Sequence, residues 1–93
     1  QRAGVFSIVL EMVPTDLAKL ISQELVIPTI GIGAGNETDG QILVWQDFAG
    51  LSEKTPKFVK QYAQLRSSLT EATEQYIQEV QLREFPSSSN SFD

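Results

Sequence analysis

The chain has 93 residues, 41% of them hydrophobic and 20% charged, with a net charge of −5. That is material for one small domain, and its apolar runs fall far short of the roughly 20 residues that span a bilayer. Cysteine and histidine are both absent, which excludes disulfides, a thiolate nucleophile, a Cys/His zinc site and a Ser-His-Asp triad within the chain, and leaves carboxylate, lysine or tyrosine as the available general bases. The acidic balance argues against a nucleic-acid partner, which needs Lys and Arg to neutralise phosphates. The basic group Lys54, Lys57, Lys60 and Arg66 reads as a solvated helix face. No basic start followed by an apolar h-region marks a secretory signal. The opening Gln-Arg-Ala-Gly, without an initiator Met, reads as the start of a fragment or a processed product.

In chain order, residues 5–10 (VFSIVL) form a β-rich apolar run that predicts a strand. Pro14 ends it, and Thr15 or Asp16 can cap a helix over about residues 16–25, where Leu17, Ile21 and Leu25, with Leu20 beside them, make one apolar stripe. Residues 27–33 (IPTIGIG) predict a second strand, the turn-rich AGNETDG follows, and residues 41–45 (QILVW) predict a third strand. Strand, helix, strand, loop, strand is the order of βαβ units and a parallel sheet. Beyond it, Thr55 as N-cap and Pro56 as first helical residue predict a helix over 55–65. Ser68 and Glu71 have capping-box spacing and open a second helix over 68–83 that carries Leu69, Ala72, Tyr76, Ile77 and Val80. PSSSNSFD reads as a frayed tail. Three parallel strands with one covering helix leave open edges and an uncovered face, so the elements look like a wedge of something larger.

Glu11 is the strongest single signal, a carboxylate that ends an apolar strand run just before a Met-Val-Pro-Thr loop. Burying such a charge without partners is costly. In α/β architectures the C-terminal strand ends face the ligand crevice, so Glu11 is a candidate general base. The alternative is a rim carboxylate bonded to backbone N–H groups or to a lysine. GIGAGN fails the dinucleotide pattern in both registers, because Asn36 or Thr38 stands where the last glycine belongs. It reads either as a tight turn or as a ligand-facing loop. Asp39 precedes Gly40 as turn residues do, and Glu37 and Asp39 are spaced as metal-binding carboxylates can be, but no third ligand is evident.

LEMVP (residues 10–14), then IPTIGIGAGN, TDGQILVWQD, PKFVKQYA and FP, taken in order over nearly the whole chain, resemble the ketopantoate hydroxymethyltransferase family. The resemblance implies an α/β fold that is the C-terminal portion of a (β/α)₈ TIM barrel, about strands six to eight and the terminal helices, in residues 1–85, with 86–93 a flexible tail. It implies a cytoplasmic transferase of pantothenate biosynthesis that hydroxymethylates the α-keto acid 3-methyl-2-oxobutanoate with 5,10-methylenetetrahydrofolate. It further implies Mg²⁺, a homo-oligomer (commonly a decamer) and no membrane partner. Glu11 matches the general base of the family's L-E-x-V-P motif. Gln46 stands where many members carry a histidine. The family's Mg²⁺ ligands lie in the first half of the barrel, so none of these residues is assigned to metal, and the chain alone is expected to be inactive. Two other readings stand beside this one: a small phosphate- or nucleotide-binding α/β module using GIGAGN, and a non-enzymatic, self-associating fragment.

Overall fold

A computed structural model describes residues 1–93. Three strands, β1 (Ile8–Glu11), β2 (Thr29–Ile32) and β3 (Gly40–Gln41), form one parallel sheet in the order β1-β2-β3. The expectation of a parallel α/β arrangement therefore holds, with shorter strands than the apolar runs suggested. Pairing begins where the Pro28 carbonyl accepts from Ile8 N–H at 3.1 Å, since Pro28 itself has no N–H to offer. It ends at Gly33, whose φ of +67° turns β2 out of the sheet. That exit also cuts β3 short. Ile42 N–H still reaches the Gly31 carbonyl at 3.0 Å, but Leu43 and Val44 have no strand left to pair with. Trp45, expected in a strand, instead opens the short helix α2 (Trp45–Phe48).

Helix α1 (Thr15–Glu24) follows Pro14, with Asp16 placed favourably in its first turn. Neither Thr15 nor Asp16 caps it; the N-cap position is Pro14, without a side-chain cap bond. The buried face is rotated one residue from the expected stripe. Ala18 is fully buried against Leu10 and Ala34, Val13 and Ile21 pack around them, and Leu17 and Leu20 stay about half exposed. A methyl group at position 18 lets the helix lie close on the sheet.

Strand alternation then fixes two faces. Leu10, Thr29 and Gly31 are buried on the α1 side, and Val9, Glu11, Ile30 and Ile32 lie on the other.

The segment 55–65 is not a helix. Tyr62, Leu65 and Arg66 donate their N–H groups to the carbonyls of Phe48, Ala49 and Gly50 at 2.7, 3.0 and 3.0 Å. Those bonds hold the strap extended across the C-terminal strand ends, and Thr55-Pro56 produces only the turn closed by Val59 N–H to Pro56 carbonyl. The expected capping box also fails. Helix α3 (Leu65–Gln81) runs unbroken through Ser68, whose N–H bonds the Gln64 carbonyl. At its end Arg83 N–H bonds the Val80 carbonyl and Glu84 N–H the Glu79 carbonyl, with Arg83 at φ +60°. This is a Schellman closure with arginine in the usual glycine position. Past it, the Phe85 ring meets Tyr76 edge-on at 5.6 Å, and Ser88–Asn90 makes one 3₁₀ turn.

The radius of gyration is 22.1 Å, against about 12 Å for a compact domain of this length. α3 buries none of its side chains and accounts for much of that extension. No helix is long and apolar enough to cross a membrane.

Candidate active site

Glu11 is the last residue of β1, registered with Ile32 of β2. Since Leu10 turns into the α1 side, Glu11 projects from the opposite face, at the C-terminal ends of the strands. Its side chain is exposed and takes part in neither of the two ion pairs of the chain. The reading in which a lysine or backbone N–H groups tie down this carboxylate is thus not the observed arrangement. Directly after it, Met12 adopts φ +52° while its N–H continues the ladder to Ile32 O at 2.9 Å. A left-handed non-glycine residue costs about 1–2 kcal/mol. At the end of the strand, the consecutive residues Glu11 and Met12 serve different surfaces.

The surface that Met12 serves is a cleft of about 720 Å³ over the strand ends on the α1 side. Its walls are the Met12–Thr15 turn, the Gly33–Gly35 turn, Leu43 and the Lys57–Tyr62 strap. Glu11 does not line it. The Phe58 ring lies directly on Gly33, so that a Cβ there would stand 2.6 Å from a ring carbon, and Thr15 closes on Gly35 in the same way. Both glycines have positive φ. GIGAGN is therefore a packed turn whose glycines admit neighbouring side chains, which removes the basis for a phosphate-cradle module.

Three other carboxylates are engaged within the fold. Asp39 Oδ2 accepts from Thr29 N–H at 2.8 Å and lies 3.1 Å from the Thr29 hydroxyl, which also meets the Ser22 hydroxyl at 2.6 Å. This cluster sits at the N-terminal end of the sheet, away from Glu11. Glu37 pairs with Lys19 at 3.2 Å, and Asp47 accepts from the Ser52 hydroxyl. No three acidic side chains converge as a metal site, so Glu37 and Asp39 do not form the pair that their spacing allowed. Gln46 lies exposed in α2, its carbonyl accepting from Leu51 N–H at 2.9 Å. Reading residues 55–65 as a helix had hidden Lys57, Phe58, Lys60 and Tyr62 as cleft residues. The loop-like composition of Ser-Glu-Lys-Thr-Pro just before them was the available signal.

A parallel sheet covered by α1 on one face defines a small α/β protein, with a free carboxylate at the C-terminal end of a strand and a cleft beside it. Comparison with known proteins specifies it further. Residues 1–88 match the family model of ketopantoate hydroxymethyltransferase, and the chain belongs to that family. It is 53% identical over 93 residues to a 3-methyl-2-oxobutanoate hydroxymethyltransferase of Legionella pneumophila, covering 99% of this chain and 36% of that protein. Proteins of the same name from Pelobacter propionicus and Enterococcus faecalis are 54% and 55% identical, with 35% and 34% of their lengths covered. The chain thus spans about a third of the relatives it matches.

Proposed function

We propose that this chain forms the C-terminal part of a (β/α)₈ barrel that transfers a hydroxymethyl group from 5,10-methylenetetrahydrofolate to 3-methyl-2-oxobutanoate, with Glu11 as general base. The observation that carries the reading is the position of Glu11: C-terminal strand end, exposed, without an ion-pair partner, on the sheet face that a barrel turns inward. In a barrel the crevice lies at those strand ends. Glu11 takes the proton from C3 of the keto acid, the resulting enolate attacks the methylene carbon of the folate to form the new C–C bond, the C–N bonds to that carbon break to release tetrahydrofolate, and water supplies the hydroxyl that completes the hydroxymethyl group. General-base catalysis of this kind contributes ~10²–10⁴-fold.

The Mg²⁺ implied by the family resemblance finds no fitting donor set among these residues. Glu37, Asp39 and Asp47 are each engaged by a separate partner, and no three carboxylates meet. On this reading residues 1–85 belong to the barrel, 86–93 form a tail, and the working enzyme is a homo-oligomer in the cytoplasm.

The test uses the Legionella relative with residues 1–93 in place of its matching segment. Glu11→Gln should lower kcat by at least ~10²-fold while leaving the keto-acid KM within about threefold. Near-normal turnover in a variant that folds excludes the base role.

A further inference from the structure

The cleft side of β3 carries a side chain that has no part in the proton transfer. Gln41 ends β3, registered with Gly31 of β2, which is registered in turn with Leu10 of β1. Glycine at position 31 leaves room for polar side chains over the sheet, since a Cβ there would stand 2.7 Å from Thr38 Oγ1 and 3.4 Å from Gln41 Nε2. Gln41 Nε2 donates to the Gly35 carbonyl at 2.7 Å and to the Thr38 hydroxyl at 3.0 Å. The Thr38 hydroxyl donates onward to the Gly40 carbonyl at 2.8 Å. Both hydrogens of the Gln41 amide are thereby used, and only its nitrogen end can serve a carbonyl, so its orientation is fixed.

Gly35 is where two turns meet. It has φ +76°, and Thr15 closes on it so tightly that a Cβ would stand 2.5 Å from Thr15 Cγ2. The Gly33–Gly35 turn leaves the sheet directly after Ile32, which is registered with Glu11 and accepts the Met12 N–H at 2.9 Å. The segment from Glu11 to Thr15 is thus anchored at both ends by one turn. Between the anchors Met12 holds φ +52°, which a non-glycine residue keeps only where its surroundings enforce it. Slackening Gly35 lets Met12 relax, and the carboxylate one residue before it moves. A misplacement of about 1 Å at a reacting group can cost ~10²-fold in rate.

We propose that Gln41 is a positioning residue for Glu11: by holding the Gly35 carbonyl, its amide seats Thr15 and aims the carboxylate at the end of β1. The proposal rests on the base reading of Glu11.

In the Legionella chimera, Gln41→Met keeps the length of the side chain and removes both donors. It should lower kcat per folded molecule about tenfold and leave the keto-acid KM within about threefold. Gln41→Glu, whose ionised carboxylate can only accept, should lose as much at neutral pH. Between about pH 7.5 and about pH 5 its kcat relative to the unsubstituted chimera should rise at least about twofold, as protonation of a carboxyl with an ordinary pKa of ~4.3 restores one donor to Gly35. Added to Glu11→Gln, Gln41→Met should cost less than about twofold more, because the group it positions is gone; a merely structural residue would add its full loss. Hydrogen exchange of the Met12 amide, which needs no turnover, should quicken at least about threefold in Gln41→Met. Parent-like kcat in either folded variant, a full additive loss on top of Glu11→Gln, or unchanged Met12 exchange overturns the proposal. Near-normal turnover of Glu11→Gln defeats the base reading and the aim with it, while quickened Met12 exchange would still show the clamp. An inactive Glu11→Gln beside a fully active Gln41→Met defeats the positioning role alone.

Discussion

Replacing Asp39 by alanine removes the acceptor that holds the start of β2. Its Oδ2 takes the Thr29 N–H at 2.8 Å and lies 3.1 Å from the Thr29 hydroxyl, and its own N–H donates to Thr29 Oγ1 at 3.2 Å. Thr29 is fully buried, so its N–H would be left without a partner. Hydrogen bonds to a charged group contribute ~1.5–3 kcal/mol, and stranding a buried donor costs ~1–3 kcal/mol. These are two views of the same loss and do not add. Because the carboxylate is itself partly solvated, about 2 kcal/mol is expected for Asp39→Ala, and about 1 kcal/mol for Asp39→Asn, which keeps one acceptor oxygen. Urea denaturation of the Legionella chimera reads this as a lower midpoint at unchanged slope. Activity per folded molecule should stay within about twofold, since Thr29 lies three residues before the Ile32 that pairs with Glu11, roughly 10 Å along the strand. A kcat loss comparable to that of Glu11→Gln would refute the separation of a stabilising end from a reactive end. A stability change below about 0.5 kcal/mol would refute the staple.

Gly33→Ala should destabilise the chimera by about 1–3 kcal/mol, through a positive-φ alanine and a Cβ driven into the Phe58 ring. In a double-mutant cycle with Phe58→Ala the coupling should exceed about 1 kcal/mol, and strict additivity would show that the ring does not hold that turn. Arg83→Gly relieves a left-handed arginine in the Schellman closure of α3 and should stabilise by ~0.5–1 kcal/mol after the added freedom of the unfolded chain is subtracted, read as a raised thermal midpoint. The 93-residue chain by itself should self-associate, so that its sedimentation coefficient rises with concentration; a dilution-insensitive compact monomer would contradict the accounting of uncovered surface.

The parallel α/β order, α1 and the strand-end position of Glu11 were all legible in the sequence, because each rests on local chemistry. β-branched runs, an apolar stripe and a proline at the strand exit act within a few residues of themselves. The errors fall where a distant partner decides. Gly33 takes β2 out of the sheet and leaves Leu43–Trp45 nothing to pair with, so a strand-like run becomes loop and helix. The carbonyls of Phe48, Ala49 and Gly50 capture N–H groups from residues 62–66, so a good helix start at Thr55-Pro56 is spent on an extended strap. Ser68 and Glu71 had capping spacing, but α3 was already under way at Leu65. The lysines of the cleft were misread for the same reason: a periodic pattern assigned them to the face of a helix that the strap replaces.

The two sheet faces differ in a way that bears on the barrel reading. On one, α1 covers Leu10 and Thr29. On the other, Val9 is 55% exposed and Ile42 52% exposed, and no element of the chain lies over them. Parallel sheets occur with both faces covered, because their strands are apolar on both sides. A second helical layer could supply that cover, but it would bury Glu11 under apolar side chains, and an unpaired carboxylate resists such burial. Closing the sheet into a barrel satisfies both demands. Val9, Ile30 and Ile42 then pack against side chains from other strands in the interior layers, while Glu11, at the end of its strand, stays in the solvent-reached mouth. The same closure leaves Asp39 and Thr29 at the opposite, stabilising end. One sheet of four-, four- and two-residue strands thus carries an apolar face that calls for cover and a carboxylate that calls for water, and the proposed barrel meets both.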